Sequence, residues 1–256
     1  MKILTYILLF LLPCAAVATT PSDTLPTADK VTGDNYYIAN DFDSAIALYE
    51  AVLASGKESH ELYYNQGNAY YKKEEMGKAI LNYERALLLA PGDKDVLFNL
   101  SLAKSKTVDK VSEPYKIFFV EWRDAIVNML ALSSWTAMAI VAFIVLLLSL
   151  LLFLWSNKVA LRKSGFFVAL FSLFVTLFAN YAAWQHYDRL TNRQTAIILQ
   201  PSVTAKSTPD KSGTDLFVIH EGRKVRISDD TMKTWKEIEL EDGTMGWVPA
   251  SSLEVI

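Results

Sequence analysis

The chain predicts a multidomain membrane protein with three parts in order: an all-α repeat solenoid, a two-helix transmembrane hairpin and a small all-β barrel. Three patterns carry this reading. Residue types recur at a fixed interval of 34 between Gly33 and Leu87. Two stretches, Trp135–Trp155 and Gly165–Trp184, hold no charged side chain; at about 1.5 Å of helical rise per residue each reaches across a hydrocarbon core of about 30 Å. Beyond residue 194 the apolar residues alternate, in AIILQ, LFVIH, KVRIS, WKEIEL and MGWVP, as half-buried strands require.

Composition narrows the function classes. With 25 basic and 28 acidic residues the 256-residue chain is slightly acidic, and its basic residues form no run outside the segment between the two apolar stretches. Nucleic acid is therefore not an expected partner. Cys14 is the single cysteine and falls inside the leader described next, so the mature chain is expected to carry no disulfide, thiolate nucleophile or cysteine metal site. His60, His186 and His220 stand in three different segments without metal-ligand spacing. No phosphate loop, nucleophile elbow or Ser/His/Asp order is present. Neither a catalytic residue, nor a metal, nor a cofactor is expected, and the protein reads as a non-enzyme.

In chain order, residues 1–18 have an early Lys2, an apolar ILTYILLFLL and the small-residue sequence Ala16-Val17-Ala18 of a cleavable signal peptide. The competing reading is a lipoprotein signal ending at Cys14, where Pro13 stands in place of a small residue. Residues 19–27 read as a polar lead-in. From Lys30 the repeat begins: Gly33, Tyr36, Tyr37, Ala45, Ile46, Tyr49, Glu50 and Leu53 return as Gly67, Tyr70, Tyr71, Ala79, Ile80, Tyr83, Glu84 and Leu87. That period with those residues is the tetratricopeptide (TPR) signature of paired antiparallel helices. Asp95–Lys106 restarts the first-helix pattern with no second helix after it, which predicts a capping helix and an array over 28–106. On the concave face formed by first helices, Tyr64, Asn65, Asn68, Tyr71, Lys72, Phe98 and Asn99 are the expected protein-binding residues. Asn65 and Asn99 hold the positions at which some TPRs clamp a peptide, but the first repeat offers Val31 and Asp34 instead of Asn65 and Asn68, so a full carboxylate clamp is not expected.

Residues 107–133 form an amphipathic link. Phe118, Phe119, Trp122, Ile126, Met129 and Leu130 share one side of a helix and Glu121, Asp124 and Asn128 the other, which suits either a helix lying flat in a membrane interface or one tucked beneath the solenoid cap. The hairpin follows, with its helices over 134–156 and 165–185. Between them Lys158, Arg162 and Lys163 have no acidic neighbour, which places the loop 157–164 in the cytoplasm and both soluble parts outside it. Trp135, Trp155, Tyr181, Trp184 and Tyr187 stand at the span ends, where amphipathic rings favour the headgroup layer. Ser149, Thr176 and Asn180 are uncharged, so no proton path or pore is expected.

Over 194–256, Asp242-Gly243 signals a tight hairpin. The run WKEIELEDGTMGWVPASSLEVI, with Gly246-Trp247-Val248-Pro249, resembles the closing half of a bacterial SH3-like (SH3b) barrel. By that resemblance Trp235 and Pro249 match ligand-groove positions, whereas VTAKSTPDKSG replaces the usual aromatic and acidic first loop.

The order of signal peptide, TPR array, membrane hairpin and SH3b barrel resembles the BatE family of the Bat aerotolerance operon. The resemblance implies an inner-membrane, multi-pass protein with periplasmic TPR and SH3b domains. It further implies a scaffold in an envelope complex with Bat proteins carrying von Willebrand A domains and with a MoxR-type AAA+ ATPase, linked to tolerance of oxygen or oxidative stress. The alternative is a tether or sensor whose SH3b domain binds peptidoglycan.

Overall fold

The computed structural model describes residues 27–109 and 118–256. The leader ending at Ala18, the alternative lipid site at Cys14 and the lead-in before residue 27 lie outside the described residues. The described chain divides into two compact units, one of residues 126–191 and one that joins the chain before it to residues 192–256.

The second unit opens with five helices: α1 (Thr27–Ile38), α2 (Phe42–Ala54), α3 (His60–Lys72), α4 (Met76–Leu89) and α5 (Lys94–Ser105). Side-chain caps set three of their starts. Asp41 accepts the Ser44 N–H, Ser59 that of Leu62, and Asp93 those of Asp95 and Val96, satisfying donors that a first turn leaves unpaired. The turns α1–α2 and α3–α4 each pass through a left-handed residue, Asn40 (φ 61°) and Glu74 (φ 62°), which are 34 apart, so the backbone repeats with the sequence. A Cβ on Gly33 would lie 2.6 Å from the Tyr49 ring and one on Gly67 2.7 Å from the Tyr83 ring. Each glycine is the floor on which the tyrosine of the paired helix lies.

Residues 192–256 form one antiparallel sheet of seven strands: β1 (Thr195–Ile198), β2 (Ser202–Lys206), β3 (Asp215–His220), β4 (Lys224–Asp229), β5 (Trp235–Glu239), β6 (Met245–Pro249) and β7 (Leu253–Val255), in the order β3-β2-β6-β5-β4-β1-β7. Gly243 (φ 84°) turns β5 into β6 as the Asp-Gly pair requires. Ala196, Ile198, Val203, Ala205, Ile219, Val225, Ile238 and Val248 gather into the sheet core. The sheet is not closed into the barrel expected from the sequence. β3 and β7 are its edges, and the free side of β7 is taken by a helix: Arg85 of α4 donates to the Val255 carbonyl at 2.6 Å and pairs with Glu254 at 2.9 Å.

That helix is buried on two sides. Ala79, Tyr83 and Ala86 face the other repeat helices, while Ile197 of β1 and Ile256 join the same core from the sheet. β1 therefore buries Ala196 and Ile198 in the sheet core and Ile197 against the repeats, as period-two side chains demand. Around this apolar seam, besides Arg85, lie four further polar ties. The Glu221 carboxylate, in the β3–β4 turn, accepts the Gly77 N–H at 2.7 Å and so supplies the first-turn cap that Glu75 does not. Glu84, buried, accepts from Lys104 of α5 at 2.8 Å and Lys224 of β4 at 2.7 Å. Asp109 accepts both the backbone N–H and Nδ1 of His220. Arg193 reaches Glu58. Gly222 (φ 83°) lets the β3–β4 turn approach Ile80 and Thr107, where a Cβ would come within 2.8 and 2.6 Å.

The other unit is a helical hairpin, α7 (Leu132–Trp155) and α8 (Val159–Thr191), both long and apolar enough to cross a membrane. α8 begins at Val159, so Arg162 and Lys163 stand in its first turns and the connection is shorter than the polar segment read from the sequence. Small residues face α7 along α8: Gly165, Ala169, Ser172, Thr176, Ala179 and Ala182 are buried, and a Cβ on Gly165 would touch the α7 backbone at Ser149 and Phe153, each at 3.0 Å. Close backbone approach through small residues is how helices associate in lipid. The large side chains Leu148, Leu154, Phe167, Phe171 and Phe174 point outward. The short helix α6 (Phe118–Val127) precedes the hairpin. Its last carbonyl, Val127, accepts from Trp135 Nε1 and His186 Nε2, both at 2.9 Å. Phe118, Phe119, Trp122 and Ile126 are exposed.

Two outcomes follow from the seam. Gly222→Val adds a β-branched side chain at positive φ against Ile80 and Thr107, and is expected to cost about 1–3 kcal/mol in a denaturant melt of the full chain. Burial alone would raise the pKa of Glu84, but Lys224 and Lys104 outweigh it and hold the carboxyl below the usual glutamate range. Its contribution is present above the unfolded-state value and is lost as pH falls through the lowered folded value. Acid unfolding of Glu84→Gln should therefore start from a lower plateau and show a shallower loss below the ordinary glutamate range than the wild type.

Candidate functional site

The first-helix surfaces of α1, α3 and α5 converge on a recess of about 270 Å³ lined by Tyr37, Tyr64, Asn68, Tyr71, Lys72, Tyr83, Asn99 and Leu102. Five of the seven residues read from the sequence, Tyr64, Asn68, Tyr71, Lys72 and Asn99, meet there. Asn65 and Phe98 do not line it. Asn65 is turned to its neighbour repeat, donating to Asp34 Oδ1 at 2.8 Å, and Phe98 stands outside the recess with 66% of its surface exposed.

Tyr37, Tyr83 and Leu102 were missed, and the repeat itself is the signal that finds two of them. Tyr37 is the 34-residue equivalent of Tyr71 and Leu102 that of Asn68, so carrying each lining position into every repeat recovers both. Tyr83 is a second-helix residue whose ring, resting on Gly67, reaches through to the first-helix face.

The amides in this surface are engaged with one another. Tyr49 OH donates to Asp34 Oδ1 at 2.7 Å alongside Asn65, and one repeat later Tyr83 OH donates to Asn68 Oδ1 at 2.8 Å alongside Asn99 Nδ2 at 2.9 Å. Each acceptor thus takes the core tyrosine of its own repeat and the asparagine of the next. Asn99 also donates to Tyr64 OH at 3.0 Å. Asn65, Asn68 and Asn99, expected from the sequence as protein-binding residues, also serve as rungs between repeats.

The groups left for a partner are of another kind. Lys72, at the rim, pairs with no carboxylate among the described residues. Lys106, its 34-residue equivalent, sits 4.2 Å above the Tyr71 ring, a cation–π geometry. Burial, then the neighbouring Tyr64, raises the Tyr37 pKa; burial, then Tyr64, Tyr37 and Tyr71, raises that of Tyr83. Tyr37 and Tyr83 therefore stay neutral hydroxyls in the physiological range, and the recess offers aromatic walls, hydroxyls and a cationic rim.

The remaining sequence-predicted residues lie in the sheet. Trp235 and Pro249 are directly opposed in the β5–β6 register, and both are half-buried. Trp247, half-buried, opposes Glu237 on one side and Lys206 on the other. The histidines stay apart: His60 opens α3, His186 bonds the Val127 carbonyl and His220 bonds Asp109. No cluster of three metal-ligating side chains occurs among the described residues.

Compared with known families, residues 31–96 match the model described as Tetratricopeptide repeat. The chain therefore carries TPR repeats over α1 to the start of α5. A search of curated proteins gave no match.

Asn68→Ala removes the acceptor of the buried Tyr83 hydroxyl and of Asn99 together, and is expected to cost about 1–3 kcal/mol. Asn99→Ala, which leaves Asn68 still paired with Tyr83, should cost about 1 kcal/mol or less. Paired denaturant melts of the two variants give the order.

Proposed function

We propose that this chain is a membrane-anchored, non-enzymatic scaffold whose TPR concave face captures a partner protein. The observation that carries the reading is the recess itself, a concave surface of aromatic rings under a lysine rim on a repeat whose general role is protein interaction. Anchoring is supported by the outward apolar residues of α7 and α8, for which water is a poor solvent. A second argument is topological. β1 docks on α4, so the repeats and the sheet share a compartment, and the chain between them must cross any bilayer an even number of times. Two crossings by α7 and α8 meet that condition, and the basic turn between them favours a cytoplasmic loop with periplasmic repeats and sheet.

Within this reading the resemblance to the BatE family suggests the partner: a Bat protein with a von Willebrand A domain, in an envelope complex tied to aerotolerance or oxidative stress. The opposed Trp235 and Pro249 favour a second reading, in which the sheet is an SH3b-type module that holds peptidoglycan. Lys72→Glu combined with Phe98→Ala changes the rim and the exposed surface outside it without touching the core. It should lower partner recovery after crosslinking and purification from membranes by about tenfold or more, or about 1.4 kcal/mol, whereas Trp235→Ala should leave recovery unchanged. The reverse result would transfer recognition to the sheet. A phosphatase reporter joined after Ile256 should be active on the periplasmic side, and cytoplasmic behaviour would overturn the topology.

A further inference from the structure

At the closed end of the hairpin, Phe153 of α7 and Val159, Arg162, Lys163, Phe166 and Phe167 of α8 line a cleft of about 500 Å³. Its wall is almost wholly apolar and aromatic, and its polar groups are both cations. The Arg162 guanidinium lies 5.7 Å from the Phe153 ring centre, so its charge is held over the cleft. Lys158 adds a third cation beside it, in the turn. Nothing in the unit neutralises them. No Asp or Glu occurs from residue 125 to residue 187, and none of the three pairs with a carboxylate among the described residues. Helix dipoles do not compensate either, because α7 ends where α8 begins and their opposite half-charges of about 0.5 offset each other.

An anion with an attached hydrocarbon tail is the ligand that this combination fits. We propose that the cleft is a binding site for an anionic phospholipid, with the phosphodiester between Arg162 and Lys163 and an acyl chain along Phe153, Phe166 and Phe167. Arg is suited to the phosphate because its planar fork can give two parallel N–H donors to two oxygens, and Lys supplies a point charge beside it. A free anion would satisfy the cations but leave the aromatic wall in water. A neutral lipid would cover the wall but leave the cations unpaired. The basic residues that orient the hairpin would thus also select the lipid around it.

The inference rests on the membrane reading, and the experiment separates the two. The full chain is purified in mild detergent with equal phosphatidylglycerol and phosphatidylcholine, and retained lipid is read by native mass spectrometry for the wild type and for Arg162→Gln combined with Lys163→Gln. The wild type should retain phosphatidylglycerol in preference, and the double variant should lose that preference by roughly thirtyfold for two surface-type cation contacts. Equal retention of both lipids by the wild type, or an unchanged preference in the variant, overturns the site. Displacement of the retained phosphatidylglycerol by millimolar inorganic phosphate would reassign it as a free-anion site and overturn the lipid. Extraction of membranes with alkaline carbonate reports on the premise: release of the chain would sink the membrane reading and the site with it, whereas a retained chain indifferent to lipid charge sinks the site alone.

Discussion

Helix α4 owes its stability to being covered twice, and much of the second unit is arranged around that cover. An outer helix of a repeat pair normally shows one face to solvent, but here Gly77, Ile80, Leu81, Asn82 and Glu84 are buried along with the core residues Ala79, Tyr83 and Ala86. Burying a carboxylate such as Glu84 costs several kcal/mol unless it is paired, and the two lysines that pair it come from different modules, α5 and β4. Both pairings exist together only while repeat and sheet are together. Apolar contact through Ile197 and Ile256 supplies attraction without direction, and the Glu84, Glu221 and Asp109 bonds add direction by pairing their carboxylates across the seam.

The inner-face recess inherits its shape from a second constraint, the glycine floors. Because Gly33 and Gly67 let Tyr49 and Tyr83 lie flat on the neighbouring helix, each hydroxyl emerges on the inner face beside the acceptor of its own repeat. The acceptor then takes the asparagine of the following repeat. Packing within a repeat and bonding between repeats meet at a single oxygen, Asp34 Oδ1 or Asn68 Oδ1. The amide groups of this surface are committed to one another, so its remaining character comes from the aromatic walls and the lysines.

Local pattern made the elements legible. The interval of 34 contained the helix pairs, the tight glycines and most of the recess, and the match to Tetratricopeptide repeat over 31–96 rests on the same residues. The period-two runs marked the strands, and Asp242-Gly243 marked the β5–β6 turn. What escaped was non-local. That Arg85 would sit at the edge of β7 depends on residues 170 apart, and no periodicity within either segment encodes it. Ile197 and Ile256 read as ordinary strand alternation, because a sequence shows which faces are apolar but not what covers them. The pairing of the asparagines escaped for a related reason. Their position on the inner face was readable, but whether an amide faces a ligand or the next repeat is set by distances of under 3 Å between side chains.

Glu221, which caps α4, is 144 residues downstream of Gly77. At synthesis rates of about 5–20 residues per second, on the order of ten seconds pass between the appearance of the helix and of its cap. During that interval the outer face of α4, with Ile80 and a Glu84 carboxylate that lacks its Lys224 partner, has no sheet to cover it. The hairpin must also be placed before the last strands can return to the repeats. The amino-terminal half of this protein is thus committed to wait for its carboxyl terminus, and in the cell that wait is the period in which a chaperone, or another copy of the chain, has access to the seam.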